Sequence, residues 1–208
     1  NFNPDIIVTN YVRKSRTEYL EMKESSAEVG LHSKNQYLHC FFSSKSCTAL
    51  WNKLIKKELL PTTSYPTWSL GEDLYCNIRA IINGENVYKS DIFSIKYNIL
   101  DSSLTQNKNC KNFLDLYDVF KRVEGSKVLP SDLRIDYLNF KRFHLLNYIF
   151  SDVTCNCAGC CKTPEWLFPM LKNIKPGDVC LFKKWQRILV FLLSKLPDVI
   201  KLQLVKLS

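Results

Sequence analysis

In "SLGEDLYCNIRAI" two adjacent acids, Glu72 and Asp73, follow Gly71 at the mouth of an apolar-periodic stretch. On a helix, Asp73 shares a face with Asn77 and Ala80, while Leu74 and Ile78 point to the core. A helix N-terminus favours negative charge, so Asp73 is a carboxylate suited to taking a proton from a hydroxyl nucleophile, with Asn77 placed to orient it. Ser69 and Glu72 have the spacing of a capping box, which accounts for Glu72 without chemistry. The plainer reading of Asp73 is likewise an acid serving the first helical turn.

A second candidate is "CNCAGCC", with Cys155, Cys157, Cys160 and Cys161. Only Cys157 and Cys160 have the two-residue spacing of a zinc knuckle, and no second pair completes it. The nearest other ligands, His144 and Cys180, stand alone, so this segment reads as a loop of free thiols. Cys40, Cys47, Cys76, Cys110 and Cys180 are scattered among apolar neighbours, as reduced core thiols of a cytosolic protein are.

The elements that must position these residues follow from periodicity. "PDIIVTNYV" is a strand entered from Pro4, with its β-branched run at Ile6 to Thr9. The polar stretch from Arg13 to Asn35 reads as loop with some helix. "CTALWNKLIKKELL" predicts a helix with Leu50, Leu54, Ile55 and Leu59 on one side, closed by Pro61. A loop with Tyr65 and Trp68 leads to the Asp73 helix, whose stripe is Leu74, Ile78, Ile81 and Ile82. "NGEN" ends that helix, and "VYKSDIFSIKYNIL" is extended with a kink near Ser90 and Asp91. Helical patterns follow in "NCKNFLDLYDVFKRV", "SDLRIDYLNFKRFHLLNYIF" and "KKWQRILVFLLSKL". The order predicts an α/β layer over residues 1–106 and an α-helical C-terminal extension over 107–208.

Four blocks in order, "NPDIIVTNY", "WNKLIKKELL", "SLGEDLYCNIRAI" and "VYKSDIFSIKYNILDSSLTQ", resemble the second half of family 2 glycosyltransferases of the GT-A fold. The resemblance covers about half the chain, from Asn3 to Thr105. It implies a partial GT-A-like sheet with flanking helices, and an inverting transfer of a sugar from a nucleotide-diphosphate donor to an acceptor hydroxyl in glycan or polysaccharide synthesis. Asp73 matches the family's general base, with Glu72 beside it. Asn52 and Lys53 match a pair near the cleft, Lys53 supplying positive charge where the diphosphate departs. Trp51, Trp68 and Tyr97 complete the substrate-binding set, loop aromatics being able to stack on a sugar face or simply to pin a loop. The resemblance implies a divalent metal, Mg or Mn, held by an Asp-X-Asp motif. This sequence has no Asp-X-Asp, and Asn98 stands where the family has Arg after Tyr97. The chain is therefore expected to be the acceptor-side half, lacking the nucleotide-binding half and inactive alone.

The net charge is +9. From Cys160 onward nine Lys and Arg face three acids, so +6 of it lies there. In residues 183–196, Lys183, Lys184, Arg187 and Lys195 take one side of a helical wheel and Trp185, Ile188, Leu189, Leu192 and Leu196 the other. Such a helix suits an anionic membrane surface, or packs on a core while showing lysines to water. No apolar run reaches the roughly 18 residues of a membrane span. The expected partners are thus a nucleotide sugar, a glycan or lipid-linked acceptor and a membrane surface, in a cytoplasmic, peripheral location. Nucleic acid is not expected, since basic and aromatic residues are not interleaved on any predicted sheet face. The rival reading is a non-catalytic module that binds lipid or nucleic acid through its basic C-terminal helices.

Overall fold

The computed structural model describes residues 3–44, 46–60, 68, 70–99, 110–126 and 129–150, with Val190 and Lys195. It is a mixed α/β structure. The elements run β1 (Ile6–Lys14), β2 (Tyr19–Met22), β3 (Gly30–Ser33), α1 (Lys34–Ser43), β4 (Lys53–Ile55), α2 (Glu72–Asn83), β5 (Asn86–Asn98), α3 (Cys110–Gly125) and α4 (Arg134–Phe150). Short 3-10 turns at Lys57–Leu59 and Ser131–Leu133 precede α2 and α4.

The long strand β1 organises the sheet, whose order is β2-β1-β5-β3. One edge of β1 pairs in parallel with β5. The opposite edge is shared end to end by two antiparallel strands, β4 along Ile6–Val8 and β2 along Tyr11–Lys14. β5 carries extra residues opposite Val8–Tyr11, a bulge at the kink expected near Ser90 and Asp91.

Two sequence expectations are overturned here. The stretch from Arg13 to Asn35 holds the end of β1, all of β2 and β3 and the start of α1, where loop with some helix was expected. The strands of four residues carry too little alternation to register as periodicity. The signal for α1 was present, since Ser33 and Gln36 form a reciprocal capping box ahead of buried Tyr37, Leu38, Phe41 and Phe42.

The second is "CTALWNKLIKKELL", which is β4 and a 3-10 turn rather than a helix. The edge of β1 offers unpaired backbone groups, and Lys53, Leu54 and Ile55 satisfy them opposite Val8, Ile7 and Ile6. Leu54, assigned to the buried helical stripe, is 69% exposed.

Helix α2 follows expectation along its length. Leu74, Ile78 and Ile81 are buried and Ile82 packs against the same core. Its start differs from the Ser69–Glu72 capping box: the N-cap is Gly71, without a side-chain cap. Gly71 has φ +98°, and a Cβ there would lie 2.9 Å from Val119 Cγ2. Only glycine meets both conditions, which explains the residue at the mouth of the helix. Helices α3 and α4 add Leu116, Val119, Phe120, Val123, Tyr137, Phe140 and Leu145 to the core formed by β1, α1 and α2, so the packing continues past residue 106. No helix among the described residues is long and apolar enough to cross a membrane.

Candidate functional site

The segment Ser46–Lys53 lies between β1 and the N-terminal half of α2, and four side chains hold it there. Asp73 Oδ2 accepts from Leu50 N–H at 3.3 Å. Asn77, fully buried, donates through Nδ2 to Ala49 O at 3.1 Å and to Thr48 O. Asn77 therefore secures the segment and not the Asp73 carboxylate, the role its helical spacing suggested. Asn52 donates to Thr9 O at 2.9 Å, and its own carbonyl accepts from Thr9 N–H and from Thr9 Oγ1, each at 3.0 Å.

Lys53 is the fourth. Its ammonium is wholly buried and donates to Asn52 Oδ1 at 2.8 Å, Ala49 O at 2.9 Å and Cys47 O at 3.0 Å. It also faces Glu24 Oε1 at 3.4 Å, whose side chain is equally buried. That oxygen makes no hydrogen bond of its own, so the ammonium is its compensation. Lys53 was expected to supply positive charge where a diphosphate departs, or to be a solvated helix lysine; its buried ammonium is instead engaged within the fold. Its side chain turns inward and closes the loop.

Glu24 was not singled out from the sequence, where it sits in a polar stretch. The other carboxylate oxygen accepts from Tyr37 Oη at 2.6 Å, and burial, with Glu24 alongside, pushes that phenol well above its ordinary value. The Glu24 backbone donates to Asn10 Oδ1 at 3.1 Å and accepts from Cys47 N–H at 2.7 Å. Asn10 Oδ1 also takes a hydrogen bond from buried Lys89, which burial pulls below the usual lysine range. One acid and two lysines thus form a polar centre beneath the segment that Asp73 holds from the other side.

Trp51, next to the Asp73-bound Leu50, meets Tyr97 in a parallel stack at 5.3 Å and 5°, and meets Tyr11 edge-on at 5.0 Å. Two residues 46 positions apart in the expected binding set are therefore neighbours. Trp51 remains 38% exposed. Burial, then Cys47, pushes the Tyr11 phenol up to about 12.

Trp68 is elsewhere. It donates to Asp118 Oδ2 at 3.1 Å, lies under the Arg122 guanidinium at 5.1 Å and meets Tyr75 edge-on, so its side chain packs on α2 and α3. Glu72 is exposed in the first turn of α2.

Cys40 and Cys47 are free thiols, burial raises that of Cys47, and Cys76 is buried in α2. Tyr65, Cys155, Cys157, Cys160, Cys161 and the helix predicted over 183–196, apart from Val190 and Lys195, lie outside the described residues. Among the described residues no three His, Cys, Asp or Glu side chains converge as metal ligands. No donor set among the described residues fits the Mg or Mn site that the resemblance implies. No protein-family model, curated protein or solved structure matches the chain.

Proposed function

We propose that this chain is the acceptor-side part of an inverting glycosyltransferase, with Asp73 as general base. The observation that carries the reading is Asp73 itself: a partly exposed carboxylate at the start of α2, held by Leu50 N–H, one residue from an aromatic pair open to solvent. One oxygen is held, and the rotation of the carboxylate is set by it. The other is available to take the proton of an acceptor hydroxyl as that oxygen attacks the anomeric carbon and the bond to the diphosphate breaks. The exposed edge of Trp51 suits the apolar face of a sugar ring. Lys53 positions this segment through Cys47, Ala49 and Asn52, and the diphosphate charge is left to groups beyond the described residues. The helix predicted over 183–196 would bring the enzyme to an anionic membrane surface on the cytoplasmic side.

The test is release of nucleoside diphosphate from a panel of nucleotide sugars by the intact gene product, wild type against Asp73→Asn. A general base contributes about 10²–10⁴-fold, so the variant should lose that much turnover with an unchanged melting temperature. Turnover within threefold of wild type would remove Asp73 from the chemistry. If no nucleotide sugar is consumed at all, the binding-module reading replaces this one.

A further inference from the structure

The sheet end where Tyr97 stacks on Trp51 carries a second cluster on its opposite face. Strands β1 and β5 run parallel and finish together at Lys14 and Asn98, with β2 on the outer edge. Lys14 pairs across to Tyr19, and Val12 pairs to Lys96 on one side and Glu21 on the other. Paired residues point to the same face, and so do residues two apart on a strand, so Lys14, Tyr19 and Lys96 share one face of three adjacent strands. Lys14 Nζ lies 5.2 Å from the Tyr19 ring centroid and Lys96 Nζ 4.9 Å.

Neither ammonium has an ion-pair partner among the described residues, and Glu21, on the same face, pairs with neither. Tyr19 is 60% exposed. Lys14 and then Lys96 draw its phenol below the ordinary value, as two ammoniums beside one ring do. The spacing is set by strand register and by the tight 15–18 turn, where Ser15 N–H donates to Glu18 O at 2.9 Å and Ser15 Oγ accepts from Glu18 N–H at 3.0 Å. Isolated surface lysines are ordinarily solvated, but two from neighbouring strands converging on one phenol form a set of donors.

We propose that Lys14, Lys96 and the Tyr19 hydroxyl form a cradle for a phosphate group. Two ammoniums match the two negative charges of a phosphate monoester or diphosphate end, while a carboxylate would leave one unmatched. The cradle lies on the sheet face at the carboxyl ends of β1 and β5. The proposal does not depend on Asp73. Basic and aromatic residues are thus interleaved on a sheet face, which the linear sequence did not reveal. The phosphate can belong to a soluble molecule or to a lipid headgroup, and the experiment separates them.

The full 208-residue chain is titrated with inorganic pyrophosphate by calorimetry and, separately, sedimented with phosphatidylglycerol-containing or pure phosphatidylcholine vesicles. Lys14→Gln/Lys96→Gln is compared with Lys57→Gln/Lys121→Gln, which removes the same charge elsewhere and also one lysine resting on a ring, Lys121 over Tyr117. Lys96→Gln alone, at an exposed position, guards against misfolding of the double variant and should give a partial loss of about threefold. Binding of either probe should weaken at least tenfold in the cradle variant and less than twofold in the control; the probe that responds identifies the source. Binding of neither probe, or equal weakening by both double variants, would overturn the cradle.

Discussion

Replacing Lys53 with methionine keeps most of the side chain's length and removes the ammonium. The structure sets what that costs. Lys53 Nζ and Glu24 Oε1 are 3.4 Å apart with both side chains at 0% exposure. At an effective dielectric constant of about 20 that attraction is roughly 5 kcal/mol, and full burial leaves no solvent screening to discount. The native pair has already offset the desolvation of both ions, so the variant loses the attraction and keeps the buried carboxylate. Breaking a buried pair by removing one partner typically costs about 3–5 kcal/mol. Cys47 O and Ala49 O lose a donor as well. We expect Lys53→Met to lie in that range, read from urea unfolding at pH 7 by circular dichroism and tryptophan fluorescence with the slope unchanged. Leu50 N–H should exchange faster as its segment loosens. Glu24→Gln/Lys53→Met should cost less than the sum of the single changes by about 2 kcal/mol or more. A cost below about 1 kcal/mol for Lys53→Met, or additivity within about 0.5 kcal/mol, would show that the amine is solvated and restore it as a candidate for the cleft.

Gly71→Ala should destabilise by about 2–4 kcal/mol, because φ +98° strains any side chain and the new Cβ meets Val119 Cγ2 at 2.9 Å, forcing α3 away. A loss under about 1 kcal/mol in urea would mean that the helix start is set by something other than this glycine. His144 packs against Phe140 at 4.3 Å, Phe143 at 5.3 Å and Phe120 at 6.4 Å, and burial pushes its imidazole from 6.5 down to about 4. Between those values the unfolded chain holds the extra proton, so its contribution is intact above about pH 6.5 and is lost as pH falls towards 4. The full loss is at most about 3 kcal/mol. Urea midpoints at pH 7 and 4.5 should differ less in His144→Phe than in wild type, and an unchanged difference would exclude His144 as the cause.

Much of the fold was legible where a residue's local pattern and its tertiary role agree. In α2, Leu74, Ile78 and Ile81 bury the stripe their spacing announces. The start of β1 and the kink in β5 were likewise readable, from a β-branched run and from a Ser-Asp interruption. The failures share a cause. In "WNKLIKKELL" a good helical period lost to a free strand edge, since unpaired backbone groups of β1 cost more than a weak local preference returns. The site was legible only in part. Asp73 sits where its position at a helix start puts it, but its partner is Leu50 and not Asn77.

By itself the sequence determined the elements whose apolar period matches their burial, the placement of an acid at the head of α2 and the concentration of positive charge after Cys160. Tertiary structure alone decided which way long polar side chains turn. Lys53 and Lys96 are both lysines in basic, strand-forming stretches, yet one is sealed against Glu24 while the other stands over Tyr19 in solvent. A lysine's charge is carried on a flexible stem of four carbons, so composition cannot say where it ends. That depends on whether a carboxylate and a set of carbonyls from distant segments, Glu24, Cys47 and Ala49, are folded into its reach.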